Sequence, residues 1–246
     1  MMPMIWCQKR AYPIASIRRE HVMAYRDVLS EKAATCNAAM RTLRLLFNWA
    51  IDRGILAHNP ALRTKRLRTG ERQPWPDGAL ATFRENGPPE LVWAVELALH
   101  TGQRRGDVLT MRWNDISEGL IRVVQEKPET KREMWIPIHP KLAAILETLP
   151  RRAVTILTTK SGRVWTKGHF NVKFHAAKKA IGLGEYVFHG LRKNAARNLA
   201  EAGCSTEQIK AITGHETDAM VSHYVKGANQ KRLATAAIAK LVRDEK

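Results

Sequence analysis

The chain has 246 residues, 44% of them hydrophobic, which is enough to bury the core of one large domain or two modest ones and excludes a disordered chain. Lys and Arg outnumber Asp and Glu by 41 to 23, giving a formal net charge of +18. A surplus this large favours a polyanionic partner over a merely basic surface, because each cation that contacts a phosphate releases a counterion. The composition therefore predicts a nucleic-acid partner.

Cysteine usage and hydropathy exclude further classes of protein. Cys7, Cys36 and Cys204 are too few and too scattered for a disulfide framework, and no Cys-x-x-Cys pair is present to hold zinc. The first residues lack the long apolar run of a signal peptide, and no run of about 18 apolar residues could span a membrane. We expect a cytoplasmic protein, associated with the nucleoid when bound to DNA, without a membrane partner.

Two helices are predicted in the first sixty residues. Apolar positions recur at helical spacing over residues 17–29 and again over residues 34–51, and Gly54 follows the second run as a stop signal. Such a pair is compatible with a generic helical hairpin. The second helix also carries Arg41 and Arg44, and this basic face favours contact with DNA.

The apolar pattern lapses between Ala61 and Gln73, where basic residues accumulate instead. The segment is compatible with a solvated linker or with a linker that lies along a DNA backbone. We place a short helical domain in residues 1–62, a basic linker in residues 63–73 and a larger domain in residues 74–246. The linker residues that would contact phosphates are Arg63, Lys65, Arg66 and Arg68.

The larger domain reads as mostly helical with a small antiparallel sheet. Leu120–Val124 and Met134–Pro137 predict a strand hairpin, and Val154–Thr158 a third strand. Helices are predicted over residues 77–85, 89–100, 140–149, 167–181 and 230–243, and from Gln103, His189, Ser205 and Glu216 onward. The expected fold class is mainly α (α+β), in two domains.

Side chains suited to phosphate chemistry fall in two stretches. TGQRRGDVLTMRW supplies Arg104 in the first turn of a predicted helix, a poor place for a cation unless it binds an anion. A salt bridge to Asp107, three residues on, is the plainer alternative. The second stretch runs from His189 to Tyr224 and reads HGLRKNAARNLAEAGCSTEQIKAITGHETDAMVSHY. Its His-x-x-Arg pair opens a helix, and helix N-termini bind phosphate.

This set of residue types suits covalent catalysis on a phosphodiester. A tyrosine can attack phosphorus and hold one DNA end as a phosphotyrosine, and two arginines can clamp the non-bridging oxygens. A lysine can protonate the leaving 5′ oxygen, and a histidine can exchange protons or orient the phosphate. No carboxylate cluster is evident, so we expect chemistry without metal or cofactor.

Taken singly, each histidine could cap a helix or pack against one, and the tyrosine could belong to the core. A zinc site from His189, His215 and His223 fails on spacing and lacks a cysteine or carboxylate partner.

Together the two stretches resemble the motifs of the tyrosine recombinase (phage-type integrase) family. Thr101-Gly102-Gln103-Arg104 with Asp107 is similar to the first arginine box, and His189-Gly190-Leu191-Arg192 to the His-x-x-Arg box. Gly214-His215 and Tyr224 match the Gly-His pair and the nucleophile. The resemblance implies that Tyr224 attacks a phosphate which is bound and activated by Arg104, His189, Arg192 and His215, with Asp107 in support.

The segment EKPETKREMWIPIHP resembles the turn that carries the catalytic lysine of the family. The interval from Lys127 to Pro137 is about two residues longer than usual, so Lys127 is favoured and Lys131 is the alternative. In the first part of the chain, LRLLFNWAIDRGILAHNP is typical of the helical core-binding domain, although about 65 residues make that domain short.

The resemblance implies a site-specific recombinase that closes as a C-shaped clamp on double-stranded DNA. It implies a homo-tetramer on DNA and a monomer off it, with the last helix docked on a neighbouring protomer or packed on its own domain. A type IB topoisomerase or a telomere resolvase would share the chemistry. The alternative from another class is a non-catalytic DNA-binding regulator or a truncated integrase remnant, with LAEAGCSTEQIKAITGH as a helix-turn-helix.

Overall fold

A computed structural model of the chain describes residues 13–70, 73–126 and 131–244. The chain divides into two compact units, Met1–Glu71 and Arg72–Lys246. The first unit contains a 3-10 turn at Ile14–Ser16 and two helices, α1 (Arg19–Val28) and α2 (Ala33–Asp52). The two predicted helices of this part of the chain are therefore confirmed within two residues at each end.

The core of the first unit forms because α1 and α2 each carry one apolar stripe. Cys36, Met40 and Phe47 share a face of α2 and pack with Val22 of α1. The chain after α2 then returns along that helix and is hydrogen-bonded to it. The carboxamide of Asn37 both donates to the carbonyl oxygen of Leu67 and accepts from its N–H group, each at 2.9 Å. The segment predicted as a linker is thus attached to α2 as far as residue 67.

The second unit is mostly helical with one small sheet. Its helices are α3 (Asp77–Asn86), α4 (Pro89–Thr101), α5 (Arg105–Thr110), α6 (Pro140–Thr148), α7 (Lys167–Ala180), α8 (Phe188–Glu201), α9 (Thr206–Thr213) and α10 (Ala219–Asp244). Its strands are β1 (Ile116–Ser117), β2 (Leu120–Glu126) and β3 (Lys131–Pro137), antiparallel in the order β1-β2-β3. The predicted fold class, helical with a small antiparallel sheet, is confirmed. Over the described residues, no helix is long and apolar enough to cross a membrane.

Two details of the prediction are wrong. Val154–Thr158 is not a strand, since it makes only single bridges, Arg112 with Thr155 and Thr158 with Val164. Two of its apolar side chains, Ile156 and Leu157, are instead buried in the core of the second unit, whereas Val154 is exposed. The two helices expected after Glu216 are one helix, α10, which runs through Gly227 without a break. Single-sequence patterns cannot separate a buried apolar loop from a buried strand.

The N-terminal end of α8 is fixed on the segment that precedes α3. The backbone N–H and carbonyl groups of Trp75 bond to the carboxamide of Asn194, each at 2.7 Å, and the Trp75 indole N–H donates to the Val187 carbonyl at 2.9 Å. Gly190 allows this close approach, since a Cβ there would lie 2.6 Å from the carbonyl oxygen of Gln73. The first turns of α8 therefore have one position relative to the core.

We predict that Asn194→Ala lowers the free energy of unfolding by about 2–4 kcal/mol, because both backbone groups of Trp75 lose their partner inside the core. Asn194 is 0% exposed, whereas Asn198 lies one turn further along α8 and is exposed. Asn198→Ala is thus the matched control and should stay within about 0.5 kcal/mol of the unsubstituted protein. Urea unfolding followed by circular dichroism measures both values, and equal effects would contradict the role given to Asn194.

Candidate active site

Arg192 is the most deeply buried of the candidate residues, with 2% of its surface exposed. Its Nη1 donates to the carbonyl oxygens of Gly102, at 2.9 Å, and of Thr213, while its Nε donates to Nε2 of His215 at 3.3 Å. The two carbonyls lie at the C-terminal ends of α4 and α9, where the helix dipole is negative. The buried guanidinium is therefore held by the ends of two helices and by an imidazole.

Two glycines make this arrangement possible. Gly102 and Gly214 end α4 and α9 with φ of 65° and 72°, a conformation that costs a side chain energy. A Cβ at Gly102 would lie 2.8 Å from Cγ2 of Thr213, and one at Gly214 would lie 2.5 Å from Nε2 of Gln125. Both positions therefore require glycine for the backbone turn and for the close packing around Arg192.

Arg104 is the N-cap of α5 rather than a residue of its first turn, which corrects the prediction. The backbone of Arg104 is extended (φ −70°, ψ 153°), so its side chain is not part of the α5 surface. Its Nη1 donates to Oε1 of Gln125 at 3.2 Å. Asp107, predicted in support, is buried inside α5 with 7% exposure. Its negative charge raises the pKa of Arg192, so it partly compensates the buried cation.

The two arginines lie close enough to repel each other. The pKa of Arg192 is lowered to about 10, first because burial removes its guanidinium from water and second because Arg104 carries the same charge. Asp107 and Tyr224 act in the opposite direction. An anion placed between the two guanidinium groups would relieve this repulsion.

One polar atom of this cluster has no partner within the described residues. Nη2 of Arg192 is buried and makes no hydrogen bond there. A buried guanidinium N–H without an acceptor is costly, so this position favours a ligand that can accept from it. The atom is therefore a donor that the described residues leave without an acceptor, in a cluster that holds two cations.

His215 is neutral in this arrangement. Its Nε2 accepts from Nε of Arg192, and its Nδ1 lies 2.7 Å from the hydroxyl of Thr213, which itself donates to the Ile209 carbonyl at 2.6 Å. The proton is therefore on Nδ1. Burial, then the charges of Arg192 and Arg104, lower the pKa of His215 to about 4.

Tyr224 and His189 complete the cluster. Tyr224 lies on α10, half-buried against the small side chains of α8 and α9, with its ring edge-on to His223 at 5.6 Å between centroids. It raises the pKa of Arg192, as a nearby phenolate would. His189 is exposed in the first turn of α8, and its charge lowers the pKa of His215. The structure thus brings these two side chains to the two arginines and His215.

The other predicted site residues fall into two groups. Lys127 lies outside the described residues, and so does the side chain of Lys131, whose backbone begins β3. In the first unit Arg44 is half-buried and donates to the hydroxyl of Thr64 at 3.0 Å, so part of its role is structural. The remaining candidates for DNA contact are exposed: Arg41, Arg63, Lys65, Arg66 and Arg68.

Sequence reasoning missed Gln125, which bonds to Arg104 and is 3% exposed. The sequence does contain a signal for it, because strand alternation puts Ile121, Val123 and Gln125 on the inner face of β2, and a buried glutamine there needs hydrogen-bond partners.

For a metal ion, the described part of the chain offers no group of three His, Cys, Asp or Glu side chains.

We predict that acidification destabilises the fold partly through His215. Its folded-state pKa of about 4 lies below the ordinary value of 6.5, so the unfolded chain takes up the proton first and stability is lost as pH falls from about 6.5 towards about 4. Urea unfolding at pH 4.5–7 should show a smaller loss for His215→Asn, which has no charge to gain. Titration of the His215 ring carbons by NMR with a midpoint near 6.5 would contradict this.

Comparison with known proteins agrees with this geometry. Residues 80–231, well over half of the chain, match the family model described as "Phage integrase family". The chain is 32% identical over 208 residues to the integrase of Enterobacteria phage 434, an alignment that covers 78% of this chain and 58% of that protein. It therefore spans less than two thirds of this relative's length.

Solved structures of Escherichia phage lambda integrase show the same fold. A fragment of that integrase, crystallised as a dimer bound to a COC′ core site, superposes with a TM-score of 0.71 at 28% identity, covering 88% of this chain and 82% of the other. A lambda integrase tetramer bound to a Holliday junction gives a TM-score of 0.71 at 28% identity, over 85% of this chain and 64% of the other. The cluster built around Arg192 lies within the matched residues, and the chain belongs to the phage integrase family.

Proposed function

We propose that the chain is a site-specific DNA recombinase that cleaves and rejoins DNA through a 3′-phosphotyrosine, to integrate or excise a mobile element. The observation that carries the proposal is the buried Nη2 of Arg192, a donor without a partner among the described residues, beside the like charge of Arg104. A phosphodiester supplies the missing acceptor and the negative charge together. Membership of the phage integrase family supports the same reaction.

In the proposed mechanism, Arg104 and Arg192 bind the non-bridging oxygens of the scissile phosphate. The Tyr224 oxygen forms a bond to phosphorus and passes its proton to His189, while the bond from phosphorus to the 5′ oxygen breaks. Lys127 donates the proton that this 5′ oxygen takes up. His189 and His215 orient the phosphate, and the low pKa of His215 keeps it an uncharged acceptor for Arg192. Attack by a 5′ hydroxyl reverses every step, so no metal ion, cofactor or external energy is needed.

Double-stranded DNA is the proposed partner, bound by a homo-tetramer, whereas the free protein is a monomer. The lambda integrase tetramer on a Holliday junction supports this assembly. We assign core-DNA binding to the helical residues 1–62, phosphate contacts to the basic residues 63–73, and catalysis to residues 74–246. The exposed basic side chains of the first two regions and the net charge of +18 favour backbone contacts. The place of action would be the cytoplasm, on the nucleoid.

Covalent capture tests the reaction. Nicked duplexes that tile the junctions of the genetic element encoding the chain allow the cut end to diffuse away, so a protein–DNA adduct accumulates on a denaturing gel. We expect the adduct in the presence of EDTA, and its loss in Tyr224→Phe, because only that oxygen attacks phosphorus.

Tyr186→Phe is the matched control, since Tyr186 is also half-buried in the second unit but lies at the core beside Trp75. It should retain the adduct. Tight DNA binding without an adduct from any variant would reject the recombinase and favour a non-catalytic regulator. An adduct that needs a divalent cation would reject the metal-independent mechanism.

The identity of the general acid can be tested with a 5′-bridging phosphorothiolate at the cleavage position. A thiolate leaves without protonation because the pKa of a thiol, about 8.5, is far below that of an alcohol. We expect Lys127→Ala to slow cleavage of the normal phosphodiester by about 10²–10⁴-fold and to cleave the phosphorothiolate at nearly the unsubstituted rate. Lys131→Ala should cleave both substrates normally. The opposite pattern would assign the acid to Lys131.

A further inference from the structure

Gln125 is buried on the inner face of β2, at the centre of a hydrogen-bond network that joins three separate parts of the chain. Its Oε1 accepts from Nη1 of Arg104 at 3.2 Å. Its Nε2 donates to the carbonyl oxygen of Thr213 at 3.1 Å and to Oε1 of Gln103. The carbonyl of Thr213 also accepts from Nη1 of Arg192. A single carboxamide thus bonds to one arginine directly and to the other through one shared oxygen.

The orientation of this carboxamide is determined by its neighbours. Gln103 is 1% exposed, and its own Nε2 donates to the carbonyls of Thr101, at 2.9 Å, and Ile212, at 2.8 Å. Its Oε1 is therefore turned towards Gln125. If the Gln125 amide rotated by half a turn, its oxygen would face two other acceptors and its NH₂ group would face a guanidinium. Oε1 is consequently held in the one position where Arg104 can donate to it.

A neutral acceptor at this position has a specific electrostatic consequence. A carboxylate would hold Arg104 as firmly, but it would also neutralise the charge that a phosphate needs. The amide oxygen orients the guanidinium and leaves its charge intact. Because Arg104 is the N-cap residue of α5, with an extended backbone and a partly exposed side chain, it needs such an anchor to keep one direction.

We infer that Gln125 is a positioning residue that directs Arg104 at the scissile phosphate and couples it to Arg192 through the Thr213 carbonyl. The role towards a scissile phosphate rests on the proposed recombinase function, whereas the orientation of Arg104 by Gln125 does not depend on that function. Gln125 also lies two residues before Lys127 on the same chain segment. The strand that holds Arg104 therefore precedes, along the chain, the residue proposed as the general acid.

The first experiment separates DNA binding from the chemical step. Gln125→Met keeps the length of the side chain and removes every hydrogen bond of the amide. We expect its Kd for the junction duplex to stay within about twofold, because backbone contacts elsewhere dominate binding. The rate of adduct formation with saturating DNA should fall about 10–100-fold, since small misplacements of a phosphate-binding group have effects of that size.

Val123→Ala is the matched control for lost stability, because Val123 is buried on the same face of β2, two residues away. It should be destabilised to a similar degree and cleave at nearly the unsubstituted rate. Equal losses of rate in the two variants would overturn the inference, as would normal cleavage by Gln125→Met.

A second variant gives a signature that packing alone cannot produce. In Gln125→Glu the protonated carboxyl group still offers an acceptor to Arg104 and a donor to Thr213, so it replaces the amide. In the ionised form, the second carboxylate oxygen faces the acceptor oxygens of Gln103 and Thr213, and the negative charge neutralises the charge of Arg104. Its rate relative to the unsubstituted protein should therefore rise as pH falls through the pKa of the new carboxyl group, which the neighbouring guanidinium lowers. A ratio that does not change with pH would contradict the positioning role.

A measurement without DNA keeps this inference separate from the proposed function. In protein labelled with ¹⁵N-arginine, we expect Gln125→Met to shift the Arg104 guanidinium resonance and to weaken its response to added inorganic phosphate, whereas Val123→Ala does neither. If no protein forms an adduct but these shifts appear, the recombinase proposal fails and the positioning role stands. An unchanged Arg104 resonance overturns the positioning role whatever the DNA assays give.

Discussion

The burial of one guanidinium is the constraint on which the second unit depends. Removing an ion from water costs several kcal/mol, so Arg192 requires compensation from groups that are already inside the protein. Here the C-terminal ends of α4 and α9 supply main-chain oxygens, and Asp107 supplies charge. Two helices must therefore end at the same point, which is why α4, α8 and α9 converge there. The Trp75–Asn194 contact then fixes α8, so that Arg192 enters this position and no other.

Most groups that contact the two arginines directly are uncharged. Arg192 bonds to carbonyls and to an imidazole whose pKa of about 4 keeps it neutral, and Arg104 bonds to an amide. Such partners orient a cation without removing its field. The repulsion between Arg104 and Arg192 is consequently retained in the free protein and is released only when an anion binds. This preorganisation is the property that an enzyme of phosphoryl transfer needs most, since charge on the phosphate oxygens changes little in position during the reaction.

The sequence predicted those parts of the fold whose physical cause is local. The apolar stripes of α1 and α2 and the glycine that follows α2 depend on residues within one or two turns, and all of them are found. Arg104 is expected in the first turn of α5 and is found at its N-cap, because sequence patterns locate a helix boundary only to within a few residues. The pairing of Ile116–Ser117 with β2, and the failure of Val154–Thr158 to form a strand, depend on which segments meet in space. No local pattern contains that information.

The network around Gln125 shows a deeper limit on sequence reasoning. Its partners lie 21, 22 and 88 residues away, and the most important one, the Thr213 carbonyl, is a group that every residue possesses. A motif can reveal a side chain, but it cannot reveal a main-chain oxygen. The sequence contains only an indirect sign of such an oxygen. The chain must turn sharply after it and leaves no room there for a Cβ. Gly102 and Gly214 are therefore the residues by which the sequence indicates the two carbonyls that accept from Arg192. Gly102 and Gly214 are thus as much a part of the cluster around Arg192 as the side chains that contact it are.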